Sequence, residues 1–554
     1  MYLGKADVNT YEKGSSREFL TTNGWGGYGF STVIGANTRR EHGLLVAKKS
    51  GEETFPDVLI SKVDETVISR GKKYHLSTNR YTDVIYPDGY RYLQEYQAGP
   101  LPGMLFVIHS VFLRKTVFMP RGLPLTVIKY ELLTAPESVK LEIRPLAAHR
   151  GADRLFPEKD GSDFESFFTE KSVTICGRGH QSHFSFNQGE WYSKPLWFEN
   201  LLYEHDDCEK PGTDSLWSPG FLSIDMNEGE TVYVLLGAEN VHYDHRSVAA
   251  MEKETRLLFQ ENLTGNPLVR KTPMVKELLH SASHCLSQLD GKRPAIFSGY
   301  PSVRETARET FISLPGLLLV TGKTDFAERV LKVWLERAVM NDHVMPSEVN
   351  PHTGSLVTRA CDAGLWFFYA LDKLCDQTGR TDLVRENWNH LTGILDRYSD
   401  GIPAIGIKLD KDGLLVLRSD DPGSNWMDGD IDGKPIVERK GKLVEVNALW
   451  YNSLRAMEQY SEILGRDRER KEYGSLAERS RKSFQDLFWC DKGYLFDWVD
   501  DKRRDESVRC NQILAVSLPA SVMDPERGRS IVETCWNELY TTFGLRTLDP
   551  HHEK

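Results

Sequence analysis

The sequence contains no run approaching the roughly 20 apolar residues that a membrane-crossing helix requires. Its first residues, MYLGKADVNTYEKG, hold no apolar core of signal-peptide length. A cytoplasmic protein with no membrane partner is therefore expected. Basic excess is missing as well: 69 Lys and Arg are outnumbered by 80 Asp and Glu, the formal net charge is -11, and no basic patch or stripe stands out, so nucleic acid is not an expected partner. Cysteine is scarce. The eight (176, 208, 285, 361, 375, 490, 510 and 535) are scattered without a C-x-x-C, which argues for buried thiols rather than a disulfide framework or metal cluster. His280 and His284 lie four apart on an expected helix, but no Glu follows His280 and no third ligand is evident, so ordinary helix histidines are expected rather than zinc. Neither a metal nor a cofactor is expected, and no internal repeat is strong.

Aromatic residues are plentiful. There are 12 Trp and 22 Tyr, many beside Gly, Asp or Asn, a composition suited to stacking rings on flat polar ligands such as sugars. At 554 residues two or more domains are expected. Residues 1 to about 260 read as strands: short segments rich in Val, Ile, Thr and aromatics, such as GMLFVIHSVFLRKTVFM and LPLTVIKYELL, are punctuated by Gly, Pro, Asn or Asp. This spacing predicts an antiparallel β-sandwich over 1–262, with HDDCEKPGTDSLWSPG as a long excursion before the closing strands. Gly24, Gly26 and Gly29 have G-x-G-x-x-G spacing, but no helix follows them, so a tight hairpin is expected in place of a phosphate loop.

From about 270 the apolar period changes from two to near four. TDFAERVLKVWLERAVM puts Phe326, Val330, Leu331, Trp334, Leu335 and Ala338 on one helix face. Comparable helices are expected near 273–290, 305–321, 360–379, 381–398, 444–465, 468–488, 508–518 and 525–541, with Gly, Pro and Asp gathered in long loops between them. Helical hairpins with their long loops at one end are the pattern of an α/α toroid, here over 273–554. One loop carries the candidate chemistry, DPGSNWMDGDIDGKPIVERKGKLVEVNALWYN, beginning at Asp421. Among its carboxylates Asp421, Asp428, Asp430 and Asp432, only Asp428 sits beside Trp426 and Met427, a setting that predicts partial desolvation and a general acid. A calcium loop is disfavoured, because Arg439 stands where an EF-hand requires Glu.

These stretches resemble the bacterial and archaeal type of glycogen debranching enzyme, the amylo-alpha-1,6-glucosidase family. The resemblance is carried by REFLTTNGWGGYGFSTVIGANTRREHGLLVA, LEIRPLAAHR and LWSPGF in the first half. In the second half it is carried by FSGYP, TFISLPGLLL, CDAGLWFFYAL, NWMDGDIDGKP, GKLVEVNALWYNSLR, CNQILAVSLP and TTFGLRTL. It implies a multidomain fold, an N-terminal β-sandwich followed by an (α/α)6 barrel of the glucoamylase-like type. It also implies inverting, metal-free hydrolysis of α-1,6 branch points in glycogen or limit dextrin, with Asp428 as general acid. Trp426, Asp362, Trp366, Glu445 and Asn447 follow as substrate-binding candidates. So do Arg308 and Glu309, which stand where the family usually has Arg-Asp after Trp-Gly, and Glu305, where an Asp is usual. The added methylene of Glu309 and the missing Trp predict weaker or altered substrate fit. By the same resemblance the chain ends before the last helices and the general base. The alternative expectation is a catalytically weak or inactive α-glucan binding protein.

Overall fold

The computed structural model of the chain describes residues 2–47, 56–156, 164–205, 212–240, 243–263, 272–289 and 291–552. It divides into two compact units. The first is Met1–Ala295 with Gly299–Val303 and Pro351–Gly354; the second is Ile296–Ser298, Arg304–Asn350 and Ser355–Lys554.

The first unit is a sandwich of two antiparallel sheets. Among the described residues one sheet has nine strands, running from the edge pair Tyr2–Leu3 and Leu93–Gln97 through Val111–Phe118 and Leu125–Thr134 to Glu165–Thr169. The other has eight, with Val139–Gly151 and Asp57–Ser69 at its centre in the register Leu141 to Val67 and Ile143 to Glu65. Strand alternation sends Val117, Ile128, Val232 and Val234 from one sheet and Ile60, Val67, Leu141 and Ile143 from the other into a single buried core. Two expectations need correction. Residues 212–220 of the expected excursion belong to a long strand, Gly212–Met226, while 206–211, with Cys208, lie outside the described residues. The strand-like reading to about 260 also overlooks a helix, His245–Leu263 (α1), whose run of Ala, Glu, Met and Leu favours helix over strand. A second helix, Pro273–Cys285 (α2), completes this unit's helical part. On it His284 contacts Thr22 Oγ1 through Nδ1 (3.1 Å), and His280 contacts the Gly99 carbonyl through Nε2 (3.1 Å).

The glycine-rich turn is indeed a hairpin connection. Glu18–Thr22 pairs with Tyr28–Thr32, and Asn23 Oδ1 accepts from the backbone N–H of Trp25 (2.8 Å) and Gly27 (2.9 Å).

The second unit is built of helical hairpins. Its helices are α3 (Ala307–Leu314), α4 (Thr324–Met340), α5 (Ala363–Thr378), α6 (Trp388–Asp400), α7 (Val444–Ile463), α8 (Asp467–Phe488), α9 (Leu514–Ser517) and α10 (Pro525–Thr534). The expected single helix over 381–398 is interrupted at Asn387, with a short turn Asp382–Glu386 before α6. Helices α3, α5, α7 and α9 pack in succession as an inner layer, and α4, α6, α8 and α10 alternate with them outside. Sequence decides the layer. Along α7 fifteen residues are buried, from Val444 to Ser461, whereas highly charged α8 buries only Ala477, Ser480, Phe484 and Phe488. Left-handed Gly379 (φ 67) closes α5, its N–H donating to the Cys375 carbonyl at 2.8 Å.

Candidate active site

Two ion clusters mark the N-terminal ends of the inner helices. At the first, Arg308, in the first turn of α3, donates two bonds to Asp362, the residue before α5: Nε to Oδ2 at 2.8 Å and Nη2 to Oδ1 at 2.9 Å. Trp366 Nε1 adds a third bond to Asp362 Oδ2 at 3.2 Å. Burial works against the Arg308 charge, but Asp362 outweighs it and the guanidinium pKa is raised. At the second cluster fully buried Arg439 forks onto Glu445 in the first turn of α7 (Nη1 to Oε1 2.7 Å, Nη2 to Oε2 2.8 Å). It forks again onto Asp497 (Nε to Oδ2 2.8 Å, Nη2 to Oδ1 2.9 Å). Asn511, in the turn Cys510–Ile513 that leads into α9, donates to both carboxylates at 2.7 and 2.8 Å. Arg509 Nε stands 3.5 Å from Asp497, so two cations face two anions. Burial pushes the Asp497 carboxyl up despite Arg439; for Arg439 burial opposes the charge, and Glu445 and Asp497 overcome it.

The acid loop hangs between these clusters. At its base the N–H groups of Leu417 and Gly441 each donate to the other's carbonyl at 2.8 Å. On one side the Cys361 N–H, beside Asp362, donates to the Ser424 carbonyl at 2.9 Å. On the other, Asn425 Oδ1 accepts from Arg439 Nη1 (3.3 Å) and from the Met427 N–H (3.1 Å). Beyond Asp428 the chain forms a small hairpin, Asp430–Ile431 with Lys434–Pro435, turned at Asp432 and Gly433 with positive φ (53 and 74). Asp430 Oδ2 accepts the Gly433 N–H at 2.8 Å, so this carboxylate belongs to the turn. A cavity of about 300 Å³ opens within the loop, bounded by Asp421, Ser424, Asn425, Lys434, Val437 and Arg439, at the small end of the ligand-pocket range.

The predicted residues fall into distinct settings. Asp428 is exposed and is not among the residues that line this cavity, while Trp426 is half-buried. The expected apolar shielding of the Asp428 carboxyl is thus not observed: the hairpin carries the carboxyl outward and the indole turns inward. Glu309 is exposed on α3. Arg308 is held by Asp362 across the helix pair, so the Glu at 309 leaves that placement undisturbed. Glu305 is buried and accepts from Arg337 Nη2 at 2.9 Å. Trp366 is buried in the inner layer. Glu445 is held by Arg439 and Asn511 and is not a free carboxylate facing a pocket. Asn447 is fully buried, and its side chain braces Leu415 and Leu443: Oδ1 accepts from Leu415 N (2.7 Å), and Nδ2 donates to the Leu415 (3.1 Å) and Leu443 (3.0 Å) carbonyls.

Sequence reasoning passed over Asn425, Arg439, Asp497 and Asn511. Asn425 lies in NWMDG and Asn511 in CNQIL, motifs already quoted, so both were within reach; Arg439 pairs with residues 6 and 58 positions away, which no local pattern reveals. Trp426 Nε1 and Asn511 Oδ1 are buried without a hydrogen-bond partner among the described residues, an uncommon state for polar atoms. No described helix is long and apolar enough to cross a membrane.

Comparison with known proteins follows the same division. A family model for the glycogen debranching enzyme N terminal region matches residues 17–233, and one for amylo-alpha-1,6-glucosidase matches 277–554. No curated protein sequence matches the chain. Among solved structures, a bacterial glucoamylase complexed with acarbose superposes with a TM-score of 0.58 at 10% identity, over 96% of this chain and 80% of that one, a likeness of fold. The sandwich, the helical hairpins and both family matches lead to one assignment: the chain belongs to the glycogen debranching, amylo-alpha-1,6-glucosidase family, with a glucoamylase-like fold.

Proposed function

We propose that this protein is a glycoside hydrolase that cleaves α-1,6-glucosidic branch points of glycogen or limit dextrin with inversion at the anomeric carbon. The observation that carries the reading is the convergence, at the N-terminal ends of successive inner helices, of the Arg308–Asp362 and Arg439–Glu445–Asp497 clusters on the loop that bears Asp428. Such a frame holds a flexible, Gly-rich loop in one conformation, which acid catalysis requires of its proton donor.

In this mechanism Asp428 protonates the bridging oxygen as the glycosidic bond breaks. Water attacks the anomeric carbon from the opposite face, giving up its proton to a base, and inverting enzymes place the two carboxyl groups about 6.5–9.5 Å apart. A sugar seated over the loop excludes water from Asp428, and loss of water favours the protonated form of a carboxyl group. Glu445 acts as a positioning residue through Arg439 rather than as the base. Substitution of Asp428 by Asn is expected to lower glucose release from limit dextrin by at least about 10²-fold, with glycogen binding kept. Substantial remaining turnover would place the acid elsewhere.

The exposure of Asp428 favours a second reading, an α-glucan binding protein with little or no turnover. Retention on glycogen without any glucose release by the folded protein is its signature.

A further inference from the structure

A cavity of about 470 Å³ in the helical unit shares no lining residue with the one in the acid loop. It is larger than the loop cavity and within the size range of small-molecule sites. Its walls are the end of α8, the strand pair Trp489–Cys490 and Tyr494–Leu495, the return segment to Glu506, and the first turn of α10. Hydrogen bonds brace this frame. Gln485 Nε2 donates to the Val522 carbonyl (2.8 Å), Tyr494 Oη to the Glu506 carbonyl (3.0 Å), and Ser530 Oγ to the Gly493 carbonyl (2.7 Å).

The lining has the chemistry of a site for a neutral polyol. Two rings enter it, each with a guanidinium over it: Arg527 Cζ lies 4.9 Å from the Trp489 centroid and Arg504 Cζ 5.5 Å from that of Phe496. Three cations (Arg504, Arg527, Lys492) are balanced by three carboxylates (Asp486, Asp491, Glu506), with Lys492 and Glu506 paired at 2.7 Å. A phosphate-bearing ligand calls for a net positive lining. A sugar instead donates hydroxyls to carboxylates, accepts from guanidinium groups and lays its C–H face on a ring.

We propose that this cavity is an auxiliary carbohydrate site that takes a linear segment of α-linked glucan, apart from the bond being hydrolysed. The inference rests on the substrate class proposed above. Holding a second segment of a large polymer raises the local concentration of its branch ends at the acid loop without any new contact there.

The test uses the full chain, electrophoresed through gels containing glycogen, with glucose release from a branched tetrasaccharide measured in parallel. Trp489→Ala and, separately, the double substitution Asp486→Ala/Asp491→Ala are each expected to weaken retention about fivefold or more. Release from the tetrasaccharide is expected to stay unchanged, so the loss on glycogen enters through KM. Both substituted aspartates are exposed, so the double variant probes the site with the core intact. Wild-type retention in both variants overturns the proposal, as does absence of retention in the unmodified protein or displacement from glycogen by inorganic phosphate alone. A wild-type chain that releases no glucose yet loses retention in the variants upholds this site and overturns the hydrolase reading.

Discussion

Arg439 is the residue on which the acid loop depends. Its guanidinium is fully buried between two carboxylates and also touches Asn425, three residues before Asp428. Replacing it with Met leaves Glu445 and Asp497 buried and uncompensated, a loss of about 3–5 kcal/mol. The expected outcome for Arg439→Met is a marked drop in urea midpoint. Arg439→Lys keeps the charge but loses both forks, so kcat is expected to fall more than KM rises. A lysine variant with wild-type kcat would show that the fork does not position the loop. The motif NWMDG could be read for its aspartate because its neighbours are local. Arg439 could not, because burial, and not sequence neighbourhood, makes it matter.

At the scale of elements, the loop is closed by a backbone pair between Leu417 and Gly441. Gly441 has φ 90, and a Cβ there would lie 2.5 Å from the Val499 carbonyl oxygen, a backbone atom that cannot swing aside. Gly379 at the end of α5 also has positive φ, but no atom lies within 4 Å of its added Cβ. Gly441→Ala is therefore expected to cost at least about 2 kcal/mol and to reduce activity, and Gly379→Ala about 1 kcal/mol with activity unchanged. Thermal unfolding with parallel assays checks the pair; equal losses would mean that φ alone, without the backbone collision, sets the cost. The helices themselves were legible because their apolar spacing is local, and Asp362, Glu445 and Asn511 fall at their starts. Their partners were not: Asn447 looks like a pocket residue by position, but the strand pair that it braces, Ile407–Leu409 with Leu415–Leu417, lies more than thirty residues back.

For the whole molecule, acid sensitivity follows from two buried histidines of the first unit. Burial lowers both His149 and His284 to about 3 from the ordinary 6.5. The unfolded chain binds these protons below pH 6.5 while the native chain does not. Stability is therefore full above 6.5 and declines as pH falls toward about 3, by about 1.4 kcal/mol per pH unit for each histidine. Urea midpoints between pH 7 and 4.5 are expected to fall, and less steeply in His149→Gln; an unchanged slope would show that His149 does not drive the loss. The two-layer plan of sandwich and helical hairpins was readable from the change of period near residue 270. The helix His245–Leu263 was missed because it follows the last strand directly and was read as part of the strand-rich half.

The central claim is that an acid on the loop at 428 and a water on the opposite face hydrolyse an α-1,6 branch. Proton NMR of the first glucose released from a branched limit dextrin tests it most directly. The account predicts that the β-anomer appears first, followed by mutarotation; initial release of the α-anomer, or no glucose from folded protein that binds glycogen, would contradict it.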